Sequence, residues 1–99
     1  MNKRIIVACG SGVATSQTIA SKLSSMLDND GIDYIVEAVD YKSIMNELPT
    51  SEIYVYIAQP DEDVLQKAEE LSVKVFPGIP FLTGMGMEKI YEDIKNEIK

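Results

Sequence analysis

The run Arg4-Ile5-Ile6-Val7-Ala8 constrains the fold of this chain more than any other stretch. Three of its residues are β-branched, and no alternate polar position is available to turn toward water. Such a strand is buried on both faces, as in a parallel sheet covered by helices, whereas an antiparallel sheet with one wet face would show alternation. The chain must then supply helices between its strands. Its pattern does so four times over.

After Thr15, the residues Ile19, Ala20, Leu23, Met26 and Leu27 recur on one helical stripe, with Gln17, Lys22, Ser24, Ser25 and Asp28 elsewhere; Asn29-Asp30-Gly31 ends the helix. Residues 33–39 read as the second strand, and the acidic Glu37 places it toward a sheet edge. Asp40 suits the cap of a short helix with Tyr41, Ile44, Met45 and Leu48 on one face, stopped by Pro49. The third strand covers residues 52–58 and ends at Gln59-Pro60. Asp61, Glu62 and Asp63 then fit the first turn of a helix whose stripe is Val64, Leu65, Ala68 and Leu71. Residues 74–76 form a short fourth strand, and residues 77–82 a segment constrained by Pro77 and Pro80. The last helix carries Met87, Ile90, Tyr91, Ile94 and Ile98 on one face, with Lys95 and Lys99 near its negative end. The five methionines read as core filler.

This alternation predicts an α/β fold: a single domain over residues 1–99, a three-layer sandwich with a four-stranded parallel sheet in the order 2-1-3-4, joined by right-handed crossovers. In such flavodoxin-like sheets the ligand crevice lies outside the strand carboxyl ends, beside the first strand, where the order reverses. Cys9 is at that point. Residues 59–61 and 77–86 share the rim with it, either as parts of a site or simply as a helix start and a turn.

Charge and composition narrow the function. Sixteen acidic residues against nine basic ones give a net charge of −7, with the basic residues scattered, which disfavours nucleic-acid binding. No apolar run approaches the ~20 residues that span a bilayer, and the start of the chain carries no secretory pattern. One cysteine cannot close an internal disulfide, so a reducing cytoplasm is expected. There is no histidine, which removes the usual neutral-pH base, the commonest metal ligand and any Cys-His or Ser-His pair.

The remaining chemistry is concentrated in Cys9-Gly10-Ser11-Gly12-Val13-Ala14-Thr15-Ser16. Gly10 and Gly12 relax the limits on a tight turn, and the small neighbouring side chains leave backbone N–H groups uncovered at the start of a helix, where anions bind. A thiol held there is stabilised as thiolate, with a pKa of roughly 3.5–7.5 against about 8.5 for a free cysteine. A lone cysteine in a buried strand is often only a small hydrophobe. Here it follows the last apolar strand residue and precedes Gly-Ser-Gly, where the loop leaves the core, so a reactive role is the expectation.

These residues, with the size of the chain and its βαβ order, resemble the phosphorylation loop of the galactitol-type enzyme IIB components of the bacterial phosphoenolpyruvate-dependent sugar phosphotransferase system. The resemblance spans the whole chain. It implies a phosphotransferase subunit in which Cys9 accepts a phosphoryl group from a phosphohistidine on a IIA protein. The group then passes to a sugar or polyol, galactitol in this subfamily, bound by the membrane-embedded IIC component. It further implies a cytoplasmic protein, monomeric when free, needing no cofactor and recruited to the membrane through IIC. The N–H groups from Gly10 to Ser16 would hold the phosphoryl oxygens, assisted by the hydroxyls of Ser11, Thr15 and Ser16, unless Ser16 instead caps the helix. The loop is also similar to that of low-molecular-weight cysteine phosphatases, whose pattern is Cys, five residues, then Arg-Ser. Thr15 stands where that arginine would be, so the bidentate clamp of a phosphatase is missing. A nucleotide-binding module, from Gly10-x-Gly12-x-x-Thr15 with Asp40 near a ribose, lacks the third glycine and half of the sheet.

Overall fold

A computed structural model describes residues 4–9, 13–57 and 60–98; for Cys9 and residues 13–15 the description is of the backbone. The elements are β1 (Arg4–Cys9), α1 (Val13–Asn29), β2 (Ile35–Asp40), α2 (Ile44–Glu47), β3 (Ile53–Tyr56), α3 (Glu62–Glu70), β4 (Lys74–Pro77), α4 (Ile79–Thr83) and α5 (Met87–Ile98). The strands form one parallel sheet in the order β2-β1-β3-β4, as the alternation predicts.

β1, like β3, has a neighbour on each side, and its alternating side chains feed two cores. Ile5 and Val7 pack with Ile19, Leu23 and Leu27 of α1, Phe81 of α4, and Tyr91 and Ile94 of α5. Ile6 and Ala8 face the other way, toward Val39, Ile44, Leu48, Tyr54, Val64 and Ala68. Ile5, Ile6 and Val7 are fully buried, each contributing on the order of 1.5–3 kcal/mol through removal of apolar surface from water. This two-sided burial is why the strand tolerates no polar residue between Ile5 and Ala8.

α1 ends in a left-handed Gly31 (φ 72°), with the Ile32 N–H donating to Leu27 O at 2.9 Å and the Gly31 N–H to Asp28 O at 3.0 Å, a Schellman arrangement. At the amino end of the sheet, Arg4 donates to Glu37 Oε1 at 2.6 Å and to Thr50 Oγ1 at 2.7 Å and pairs with Glu47 Oε1 at 3.0 Å. Burial alone would lower the Arg4 pKa, but its bonds to Glu37 and Glu47 outweigh that and raise it. Tyr34 donates to Glu52 at the same end, and burial together with that carboxylate pushes the phenol up to about 12. The Tyr91 hydroxyl lies 2.5 Å from Asp30 Oδ2 and 2.8 Å from Met26 O, tying α5 to the end of α1, and burial and Asp30 raise its pKa as well.

Several expectations are corrected. The second strand begins at Ile35 and runs through Asp40, and the third is the shorter Ile53–Tyr56, the last residue of its expected 52–58 span lying outside the described residues. Residues 41–50 are not one helix. Two 3-10 turns, Tyr41–Ser43 and Leu48–Thr50, flank a single α turn, and the chain continues helically through Pro49 because that residue occupies an early position in its turn, where a missing N–H costs nothing. This broken geometry turns Met45 to solvent while Ile44 and Leu48 stay buried. Leu71 is likewise exposed, since it follows the last turn of α3 instead of extending its stripe. The constrained segment after β4 contains a helix, α4, with Pro80 in its first turn. Lys99 lies outside the described residues.

Candidate phosphoryl-binding site

β1 ends at Cys9, which lies in register with Asp40, while β3 pairs with β1 only as far as Ala8 opposite Tyr56. The cysteine is therefore at the carboxyl edge of the sheet, in the strand where the chain order reverses, as the sequence predicts. Three residues separate it from the start of α1 at Val13. Gly10, Ser11 and Gly12 lie outside the described residues. Val13, Ala14 and Thr15 form the opening turn of a 17-residue helix, where N–H groups have no acceptor within the helix. No acidic side chain occupies that turn, so the positive end of α1 keeps its full attraction for an anion.

Ser16 is the fourth residue of α1 and is fully buried. Because the helix begins at Val13, Ser16 sits inside it and is not its N-cap, which corrects that alternative.

The rim is held by bonds between loops. Asp40 Oδ1 accepts from the Lys42 N–H at 3.0 Å, so this carboxylate caps the turn after β2. The Asp61 N–H donates to the Tyr41 hydroxyl at 2.8 Å, joining the loop after β2 to the start of α3 across the end of β1. Asp61 takes the cap position of α3 without a side-chain cap bond, and Glu62 and Asp63 fill its first turn. On the other side the Gly78 N–H donates to Tyr56 O at 2.7 Å, anchoring the start of α4 to the end of β3. Lys22 Nζ donates to Phe81 O at 3.1 Å, binding α4 to α1. Of the rim segments expected at residues 59–61 and 77–86, Asp61 and Gly78 are thus tied beside the strand ends, while residue 59 lies outside the described residues. Tyr41, Lys22 and α4 were not read as rim supports in the sequence. Only α4 had a usable signal, the proline two residues after Gly78 in a helix-opening position.

This fold, with a cysteine at the carboxyl end of the first strand just before a helix, can be set beside known proteins. A family model described as "PTS system, Lactose/Cellobiose specific IIB subunit" matches residues 4–93, so the chain belongs to the PTS IIB family, whose members are phosphotransferase components. Among curated relatives, it is 30% identical over 94 residues to the galactitol-specific EIIB component of the PTS of Escherichia coli K12, covering 95% of this chain and 94% of that protein. It is 29% identical over 97 residues to the putative phosphotransferase enzyme IIB component SgcB of the same organism, covering 94% of each. The lactose-specific IIB domain from Streptococcus pneumoniae has the same fold, with a TM-score of 0.76 over 97% of both chains at 13% identity. Among the described residues, no helix is long and apolar enough to cross a membrane.

Proposed function

We propose that this protein is the phosphoryl relay of a sugar phosphotransferase system, with Cys9 as the group that carries the cargo. The observation that carries the reading is the place of Cys9: the last residue of β1, at the carboxyl edge of the sheet, three residues before an α1 whose first turn has no carboxylate. There the Cys9 thiolate attacks the phosphorus of a phosphohistidine on a IIA protein; the S–P bond forms, the P–N bond breaks, and the donor's imidazole takes up a proton. In the second step a hydroxyl oxygen of a sugar or polyol held by the IIC component attacks the same phosphorus. The S–P bond breaks, the thiolate is restored and the hydroxyl proton leaves to solvent.

The main-chain N–H groups from Gly10 to Thr15 hold the phosphoryl oxygens, and the hydroxyls of Ser11 and Thr15 add donors. Ser16 is enclosed within α1. Phosphoryl transfer of this kind needs positioning and charge neutralisation more than covalent help from the protein. The chain has no histidine to activate water, and Thr15 leaves the loop without a guanidinium, so the phosphocysteine survives until its acceptor arrives. The 30% identity with the galactitol-specific component supports a polyol of that kind as the final acceptor.

The test supplies phosphoenolpyruvate, the general phosphotransfer proteins and a galactitol-type IIA, and reads intact mass. A single phosphoryl adduct is expected on the protein, absent in Cys9→Ala. An unmodified wild-type chain, or an adduct that survives Cys9→Ala, overturns the relay.

A further inference from the structure

We propose that Tyr41 is a positioning residue for phosphoryl transfer, an inference that rests on the Cys9 relay proposed above: its hydroxyl, bound to the Asp61 N–H, keeps the Asp61 carboxylate away from the phosphoryl group. The end of β1 is flanked by two chain segments. On one side Asp40 lies in register with Cys9, and Tyr41 follows it. On the other, Tyr56 lies opposite Ala8, and the chain runs on through Ile57 to Asp61 at the cap of α3. Strands in a sheet stand about 4.8 Å apart, so β2 and β3 are roughly 10 Å apart with β1 between them. A 2.8 Å bond from the segment after β3 to a side chain after β2 must therefore cross the line of β1 where that strand ends. It does so on the α3 face. Tyr41 packs against the cluster that contains Ala8, Val64 and Ala68, while α1 lies against Ile5 and Val7 on the other side.

Each of these segments brings a carboxylate toward the strand end, and the two are restrained differently. Asp40 Oδ1 is occupied by the Lys42 N–H at 3.0 Å. Asp61 is exposed and stands at the cap position of α3, where a side-chain oxygen ordinarily accepts from the first turn, yet it makes no such bond. Among the described residues, what ties this end of α3 to the loop after β2 is the main-chain bond to Tyr41. That bond fixes the backbone from which the Asp61 side chain projects, and so the distance between its charge and the end of β1. Repulsion rises steeply as a fixed charge approaches. For a singly charged anion, bringing a carboxylate from about 12 Å to about 6 Å lowers occupancy about threefold at a dielectric between those of water and protein. A doubly charged phosphoryl group feels twice the free energy, so the factor is squared to about tenfold.

Tyr41→Phe keeps the ring in its cluster and removes the acceptor. The freed Asp61 N–H is exposed and finds water, so the melting temperature is expected to fall by no more than about 5 °C. The readout is the rate at which Cys9 is alkylated by iodoacetate, divided by the rate with iodoacetamide. The two reagents differ in charge, so the ratio cancels any change in thiol reactivity or access. In Tyr41→Phe the ratio is expected to fall about threefold, and transfer from phosphorylated galactitol-type IIA about tenfold, with both losses shrinking at high salt. Asp61→Asn, which keeps the N–H and drops the charge, stays within about twofold of wild type, and the Tyr41→Phe/Asp61→Asn double variant returns to the level of Asp61→Asn. Tyr41→Met, a second side chain without the acceptor, behaves like Tyr41→Phe. A wild-type ratio in both Tyr41 variants, an equal slowing of the two reagents, or a loss that Asp61→Asn does not reverse overturns the role of Tyr41. The alkylation needs no donor protein, which separates the two readings. If wild type is phosphorylated while the ratios do not move, Tyr41 has no such role and the relay stands; if wild type takes no phosphoryl group, the relay falls and the role of Tyr41 in transfer falls with it.

Discussion

Gly78 joins β4 to α4 where three elements meet, and its replacement by alanine isolates one steric effect. Its backbone is ordinary, with φ −99° and ψ −16°, so an alanine meets no conformational penalty there. The added methyl would instead lie 2.8 Å from Val55 Cγ1, 3.0 Å from Tyr56 O and 3.3 Å from Ile19 Cδ1. Carbon contacts are comfortable at about 3.5–4.0 Å, so the overlap with Val55 approaches 1 Å. Tyr56 O cannot retreat without stretching the 2.7 Å bond it accepts from the Gly78 N–H. Overpacking of this size costs about 1–3 kcal/mol, offset by about 0.4–1 kcal/mol from the stiffer unfolded chain. The net loss is roughly 1–2 kcal/mol, or a melting temperature lower by roughly 4–16 °C for a domain of this size. Gly84 provides the contrast: φ is 79° with open space around its Cα, so its substitution is strained by backbone conformation alone. Asparagine, which tolerates that region, should therefore restore most of the stability lost in Gly84→Ala, while Gly78→Asn should be worse than Gly78→Ala. Urea unfolding and thermal melts followed by circular dichroism measure all four variants. A Gly78→Ala protein as stable as wild type, or a Gly78→Asn no worse than Gly78→Ala, would refute the steric argument.

Alkaline stability should follow the two raised tyrosines. Their protonated forms are favoured by folding, so the contribution is complete below the ordinary phenol pKa of 10 and is lost as pH rises through about 12 for Tyr34; melts between pH 9 and 12 should be flatter in Tyr34→Phe than in wild type. Arg4→Met, which keeps the stem but drops the bonds to Glu37, Glu47 and Thr50, should cost about 1–3 kcal/mol in denaturant unfolding, and the difference from wild type should shrink in high salt. Phe81→Ala empties a fully buried site between α4 and α1 and should cost about 3–5 kcal/mol by the same assay, releasing α4 before the sheet unfolds in hydrogen exchange.

The strand order and the place of Cys9 were legible because both depend on features visible at short range: an apolar β-branched run, helical stripes, and a glycine-rich exit from a strand. Residues 41–50 were harder. Tyr41, Ile44, Met45 and Leu48 have helical spacing, yet the register that buries Ile44 and Leu48 breaks the helix into 3-10 turns and leaves Met45 out. That outcome is decided by packing against β1 and α3, which periodicity cannot see. Ser16 was ambiguous for a similar reason: serine is as good a cap as a ligand, and only the observed start of α1 at Val13 places it inside the helix. The supports of the rim, Tyr41 to Asp61 and Lys22 to Phe81, join residues 20 and 59 positions apart, a separation at which local patterns carry no information.

The position of β1 between β2 and β3 also bears on how the chain is made. Both neighbours are synthesised after it, and the second is not complete until Tyr56. At ribosomal rates of about 5–20 residues per second, the Ile5 to Ala8 run waits roughly 2–10 s for its second neighbour. During that interval the stickiest segment of the protein is also the one leading into the reactive thiol, so a nascent-chain chaperone that shields the first would protect the second from premature oxidation.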